Sequence, residues 1–555
     1  MSAAAATSAR AGGGWLFGRW SDLLLGCGVL YAALFALLLG FGRELRFAQP
    51  GLVFGLAFLA VSVPHYGATL LRVYERARDR RAYALFSIWA TLALAGAFAG
   101  ALFSPALGTF LVTLYFTWSP WHYTGQNYGL AVMFLRRRGV AIDGAEKRWL
   151  YASFVLSFLL VAVVSHSAGV GVRAADQYGG AAGIRFAPLG IPAGFVAVLA
   201  PALCAAQLGA LAVSAALLLR RASLRSLAPV LALWLAQALW FTLPYAALHF
   251  AWFQSVDVLD WRNNNYYFMW IALSHAAQYL WVTAYFARQS GAQRSLPAFW
   301  AKATAAGALV WTLPLLVFWQ PGLGVLSPDA GILVLVAAVA NLHHFVLDGA
   351  IWKLRGPIAR VLIQSQPDAP EAASARASWL GRAAWALCAV ALGANLAGVL
   401  LEDGWQRAMR ARDFAAARSA LDGLRFTGRE RGRDRLAVAQ AMLGAGANEA
   451  AREQAARALA LEPSADAQLA LAQAQLALGE HAAAARAFEA ASGLAPERAG
   501  PLRQAARAWR AAGDLERAVT QLERAAALAP HDAALARELA RTREAARAAA
   551  RSPAS

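Results

Sequence analysis

Apolar stretches of about 20 residues, the length a helix needs to cross a hydrocarbon core, recur through most of this chain and constrain its fold more than any other feature. About eleven are predicted, near residues 22–41, 51–71, 82–103, 107–135, 150–171, 188–219, 227–254, 265–287, 297–319, 330–352 and 379–401. In lipid no water satisfies backbone amides, so such segments must pair their own and be helical. The 59% hydrophobic content and mean hydropathy of +0.44 exclude an ordinary soluble protein of 555 residues. Pro120, Pro192 and Pro201 lie in the two longest stretches and predict kinks or strong tilt there.

The net charge of +19 invites a nucleic-acid reading, but the cations sit mostly where membrane topology would put them. With the N-terminus cytoplasmic, the loops on that side carry Arg72, Arg76, Arg78, Arg80 and Arg81, then Arg136–Arg138, then Arg220, Arg221 and Arg225. Lys353, Arg355 and Arg360 follow, whereas the opposite loops hold Asp176, Asp257, Asp260 and Asp329. This is positive-inside bias; the expected partner is the lipid bilayer of a cell inner membrane, with no nucleic acid. An odd number of spans puts the C-terminal region outside the cytoplasm. Cys27, Cys204 and Cys388 lie far apart in apolar segments and offer neither a disulfide framework nor a thiolate metal motif.

Beyond Trp405 the composition turns to Ala, Arg, Glu and Leu. Pro463, Pro496 and Pro530 recur at about 34 residues, and Gly444, Gly479 and Gly513 keep nearly the same period. This register resembles tetratricopeptide repeats over roughly 405–545, with Arg410-Ala-Arg-Asp-Phe-Ala-Ala-Ala-Arg418 as a divergent first unit. The resemblance implies helix pairs stacked into a solenoid that binds a protein or peptide partner. The expected fold is therefore all-α. A disordered tail (1–20) precedes a polytopic membrane bundle (21–403), then a tetratricopeptide-type α-solenoid (404–548) and a short disordered tail (549–555).

Four apolar segments carry histidine: Val-Pro-His65-Tyr, Pro-Trp-His122-Tyr, Ser-His275-Ala and Asn341-Leu-His343-His344. Ionisable groups at membrane depth are costly and face the bundle interior, a cavity or an ion. Counting the helical rise from the basic ends puts His65 and His344 about 10–15 Å deep, and His122 and His275 near 20 Å. His166 and His249 fall toward the outer ends and are expected to be interfacial or structural, with Asp257 near His249. His65, His122, His275 and His344 are thus candidate metal ligands, with His343 as an alternative to His344. Asp348, four residues after His344, shares its helical face and would act as an outer acceptor, or would pair instead with Lys353 or Arg355. Gln126 and Gln278 are placed to orient imidazoles; Tyr123 and Asn341 are further candidates to surround the site or face substrate. Tyr66, Trp118, Trp121, Tyr279 and Trp281 are candidate pocket aromatics.

Pro64-His65, His122-Tyr-x-x-Gln126 and His343-His344-x-x-x-Asp348-Gly resemble the membrane motifs of the Brp/Blh-type carotene dioxygenases. That resemblance implies a non-haem iron held by histidines from several transmembrane helices, acting with oxygen on a lipid-soluble polyene. The family's Pro-His-Gly-x-x-Asp form is absent: Tyr66 follows His65, and Thr69 stands where the carboxylate would fall. The expected function is a membrane metal-dependent oxygenase or oxidase. The alternatives are another transition metal, a b-type haem protein with the same histidines as axial ligands, or a non-enzymatic scaffold with no cofactor. A glycosyltransferase-like enzyme is disfavoured, because Glu44 alone is a poor metal ligand set for an outer loop.

Overall fold

A computed structural model describes residues 14–37, 51–75, 77–168, 183–243, 245, 265–291, 295–318, 331–367 and 379–551. Among them the fold is all-helical, and a single isolated bridge pairs Ser167 with Ile191. The chain divides into two compact units: residues 1–326 with 330–399, and residues 400–555 with 327–329.

The helices of the first unit that matter here are α1 (Val63–Tyr74), α2 (Pro105–Arg137), α3 (Gly144–Ser165), α4 (Ala193–Leu219), α5 (Leu224–Gln237), α6 (Asn265–Gln289), α7 (Leu296–Phe318) and α8 (Leu333–Ile351), and α9 (Trp379–Arg410) begins in this unit and ends in the second. Seven helices among the described residues are long and apolar enough to cross a membrane, or eight if the bent pair Arg19–Gly26 and Val29–Leu37 counts as one span. That is fewer than the eleven expected. Leu85–Ala101 is too short. Helices α2 and α6 are long, but His122, Gln126, Asn127, His275 and Gln278 dilute their apolar character. Lipid exposure is plainest on α4: only 17% of its most apolar stretch is buried, and Phe195, Val198 and Leu208 point outward. Pro120 and Pro201 sit inside unbroken helices, while Pro192 precedes the first turn of α4.

Local chemistry fixes where these helices start and how closely they approach. Ser104 is extended and its hydroxyl accepts the Leu107 N–H, with Pro105 pre-set at the first helical position, so α2 begins there. A π-helical stretch, Phe58–Ser62, runs directly into α1, a distortion often found beside functional sites. Helices α1 and α7 meet backbone to backbone: a Cβ on Gly67 would overlap the Ala303 carbonyl oxygen, and one on Gly307 would overlap that of Val63. Small residues four apart, Ala303 and Gly307, permit this approach, as in other membrane helix pairs. It seats His65 two residues from the crossing.

The second unit contains α10 (Phe414–Leu424), α11 (Gly432–Gly444), α12 (Asn448–Leu461), α13 (Ala465–Ala477), α14 (His481–Leu494), α15 (Ala499–Ala511), α16 (Leu515–Leu528) and α17 (Ala533–Arg551). From α10 to α17 sequence neighbours pack on one another, except that the α10–α11 connection includes a 3-10 turn. Alanines dominate the core because helices this close leave little room, and Phe488, Leu502, Trp509 and Leu522 fill the remaining gaps. The turns within successive helix pairs need a left-handed residue, supplied by Gly446, Gly479 and Gly513. Gly444 itself remains helical and Gly446 takes the turn, so the glycine register begins two residues later than the sequence pattern suggested. Before α10 the same conformation falls on Arg412, at φ 57°.

Candidate metal centre

Each of four helices presents a histidine and, four residues on, a polar partner on the same face. The pairs are His65 and Thr69 on α1, His122 and Gln126 on α2, His275 and Tyr279 on α6, and His344 and Asp348 on α8. These helices all end at one basic edge. There Arg72 lies over the Phe286 ring and Arg137 over Tyr285, while Arg136 Nη1 donates to the Leu354 carbonyl. They therefore run in the same direction. The histidines form one layer, and the i+4 residues form a second layer one turn, about 5.4 Å, nearer that edge.

The histidine layer is compact. The His65 ring centroid is 4.1 Å from that of His344 and 5.0 Å from that of His275, and the His122 ring lies 4.9 Å from both His275 and His344. The depth offset expected from the sequence does not separate them. Helices α2 and α6 simply continue about two turns farther past their histidines than α1 and α8 do. Two groups of potential ligand atoms, His65 with His275 and His344, and His122 with His344 and Asp348, each lie within 4.8 Å of one another. His344 belongs to both.

The polar layer sets the orientation of His344. Tyr279 donates its hydroxyl to Asp348 Oδ1 at 2.7 Å, the Thr69 hydroxyl lies 2.6 Å from that of Tyr279, and Thr69 Oγ1 lies 2.9 Å from His344 Nδ1. Each hydroxyl has one proton. The network closes when His344 Nδ1–H donates to Thr69, Thr69 to Tyr279 and Tyr279 to Asp348, with the longer Thr69–Asp348 contact of 3.3 Å unused. That assignment leaves His344 Nε2 as a bare lone pair aimed into the histidine layer.

A bare nitrogen there faces a carboxylate. His344 Nε2 is 3.3 Å from Asp348 Oδ2, and His122 Nε2 is 3.8 Å from the same oxygen, yet neither nitrogen makes a hydrogen bond. Among the described residues, His65 Nε2 and both ring nitrogens of His275 are likewise buried without a partner. A buried polar atom left unsatisfied costs about 1–3 kcal/mol, and such atoms are rare in folded proteins. Four imidazoles, each offering one ligand nitrogen, with an adjacent carboxylate oxygen match the donor set of a transition-metal ion. Neutral imidazole and carboxylate suit iron, copper or zinc, and the partnered Nδ1 of His344 is what a ligating histidine needs.

The remaining candidates separate clearly. His343 points away from the layer: its Nε2 lies 2.9 Å from Thr91 Oγ1 and 3.4 Å from the Tyr74 hydroxyl, so it is not an alternative to His344. Adjacent residues on a helix face different directions, which is why both cannot serve. His166 is engaged at both nitrogens, by Thr117 and by the Leu189 N–H; His249 and Asp257 lie outside the described residues. Asp348 turns inward and pairs with neither Lys353 nor Arg355. Gln126 donates to Gln278 Oε1 and to the His275 carbonyl, tying α2 to α6. Tyr123 packs on the His275 ring at 4.3 Å, and Asn341 accepts from Tyr66 rather than touching an imidazole. Trp281 bonds Asp22 and lies outside the site. Thr69 and Tyr279 were not predicted as positioning residues; the repeated i+4 spacing is the signal that would have found them.

Beside the polar layer lies a cavity of ≈ 330 Å³, with His122 and Asp348 in its wall and Trp118, Trp121, Phe345 and Trp352 among its apolar lining. It gives a small molecule access to the His122–Asp348 edge of the cluster. Compared with protein-family models and with curated proteins, the chain matches none.

Proposed function

We propose that this protein is a membrane metalloenzyme of the oxygenase class, acting on a lipid-soluble substrate at one transition-metal ion held by His65, His122, His275 and His344. The observation that carries the reading is the convergence of unpartnered, buried imidazole nitrogens from four parallel helices. Non-haem iron is the favoured ion, with another first-row metal the alternative; when bound, it supplies oxygen activation and one-electron chemistry. The chain's own residues do the rest. Thr69, Tyr279 and Asp348 hold His344 in the tautomer that leaves Nε2 free. Asp348 Oδ2 balances the positive charge and stands ready to hold a proton beside the cavity. The aromatic wall gives that edge an apolar surface for the substrate. A b-type haem fits less well, because an open plane is needed between two axial imidazoles, and here neighbouring rings and Asp348 crowd that space.

The C-terminal unit is read as a tetratricopeptide-type solenoid that binds a protein or peptide partner outside the cytoplasm of a cell inner membrane. Its support is the recurrence of left-handed glycines at 446, 479 and 513 with Pro463, Pro496 and Pro530 between successive pairs.

The test is dioxygen consumption by the full-length protein reconstituted with ferrous iron, offered carotenoids and unsaturated fatty acids. Uptake that needs the lipid and falls by about 100-fold or more in His275→Ala and His344→Ala is expected, since loss of a ligand removes the reacting centre. Uptake no greater than that of free iron with every lipid would leave the scaffold reading in its place.

A further inference from the structure

The glycines of this membrane unit meet different surroundings. Gly67 and Gly307 have another backbone against them, the usual reason for glycine in a membrane helix. Among the described residues, Gly125 and Gly129 on α2, and Gly349 on α8, have no atom within 4 Å of where a Cβ would stand, yet all three line the ≈ 330 Å³ cavity. Glycine in a helix interior costs roughly 0.5–1 kcal/mol relative to alanine. Gly96, Gly194, Gly209 and Gly393 are equally bare, so what sets these three apart is that their missing side chains leave open space in the cavity.

Trp121, Gly125, Gly129 and Met133 follow one another at four-residue spacing along α2, so they form one continuous wall. Trp121 is 37% exposed and Gly125 and Gly349 are exposed, so the groove opens on the flank of the bundle, where lipid lies. Its inner edge carries His122, whose side chain is nine-tenths buried and whose Nε2 has no hydrogen-bond partner. At the basic edge the lining ends in Lys353 and Leu354. Lys353 is exposed and pairs with no carboxylate among the described residues, and Arg136 donates to the Leu354 carbonyl beside it. A cation-flanked mouth, an apolar floor cleared of side chains and a polar reactive edge match an amphiphile. The volume stands at the small end of the ligand-pocket range of about 300–1,000 Å³, which fits one chain rather than two.

We propose that this groove is the substrate site and that it takes a single-chain amphiphile with an anionic head. The head meets Lys353 and Arg136, and the chain lies along Gly125 and Gly129 past His122. Lys353 follows the end of α8 by two residues and Asp348 by five, and Lys353 and Asp348 line the same groove, so the reacting carbon is near the head and not at the chain's far end. This inference rests on the oxygenase reading for what happens to the chain, but the binding it states is separable.

The experiment uses the full-length protein in phosphatidylcholine nanodiscs, with a fluorescent polyunsaturated fatty acid, its methyl ester and an alkyl phosphate as competitor, and metal content measured on the same samples. Gly129→Leu fills the floor and is expected to weaken the fatty acid about tenfold or more with metal content unchanged. Gly209→Leu, on the exposed face of α4, should bind like wild type and shows that leucine in a membrane helix is tolerated. Lys353→Gln should weaken the acid several-fold and leave the ester unaffected. Displacement by the alkyl phosphate supports any anionic head, and failure to displace narrows the head to a carboxylate. Equal affinity of acid and ester in wild type, or unaltered binding in Gly129→Leu, overturns the proposal. A wild type that binds the acid through these residues but holds no metal retains the groove and removes the oxygenase reading.

Discussion

Thr69 is the residue on which the orientation of the centre turns. It contributes no ligand, yet its hydroxyl connects His344 Nδ1 to Tyr279 and, through Tyr279, to Asp348. Outer-layer hydrogen bonds of this kind typically change metal affinity by about 10–100-fold. Thr69→Val removes the hydroxyl with little change of shape, so Co(II) or Zn(II) titration should show a loss of that size, and Thr69→Ser should restore most of it. Wild-type affinity in Thr69→Val would mean that His344 is held by packing alone. The four histidines were legible in the sequence because imidazole stands out in an apolar run. Asp348 and Gln126 were legible because carboxylates and amides are rare there. Thr69 and Tyr279 were not, because threonine and tyrosine are ordinary in membrane helices and only the shared spacing across four parallel helices distinguishes them. His343 was ambiguous because a His-His pair does not reveal which member faces inward.

At the scale of elements, positions that do not contact an imidazole still control the site. The α1–α7 crossing depends on bare backbone at Gly67 and Gly307. Gly67→Ala should cost about 1–3 kcal/mol, as overpacking does, and should shift His65 enough to lower metal occupancy; a variant with full stability and full metal would contradict the crossing. In the C-terminal unit Arg412 adopts a left-handed conformation at the place where later turns use glycine. A side chain there costs about 1–2 kcal/mol. Arg412→Gly should therefore raise the hydrogen-exchange protection of α10, and unchanged or lowered protection would contradict the strain argument.

Glu538 on α17 is hydrogen-bonded first by Arg507 and also by Arg503, which holds its carboxyl below the ordinary range. A lowered folded-state value stabilises above the unfolded pKa, near 4.3 for Glu, and this contribution disappears as pH falls through the folded value. Protection of α15 and α17 should thus weaken on acidification below about pH 4.3, and Glu538→Gln should remove that dependence. Helix positions were legible from apolar length, but the count of crossing segments was not. Helices α2 and α6 fall below a hydropathy criterion because polar residues are spread along them, whereas α1 and α8 meet it while carrying His65, His344 and Asp348.

For the whole molecule, the composition already required helices in lipid, and the exposed apolar faces of α4 and its neighbours agree with that requirement. The convergence of α1, α2, α6 and α8 could not be read from the chain, because long connections join them and nothing in a single sequence states which helices are neighbours. Their common direction follows from the basic loops that end each of them, and it allows one layer of histidines to sit above one layer of partners. The proposed chemistry requires an ion in that layer. The most direct measurement is elemental analysis and a visible spectrum of the full-length purified protein beside His344→Ala, after reconstitution with iron, copper and zinc in turn. One metal ion per chain in the wild type, lost in the variant and with no haem band, is the predicted result. No bound metal in the wild type under any of the three conditions would contradict the account.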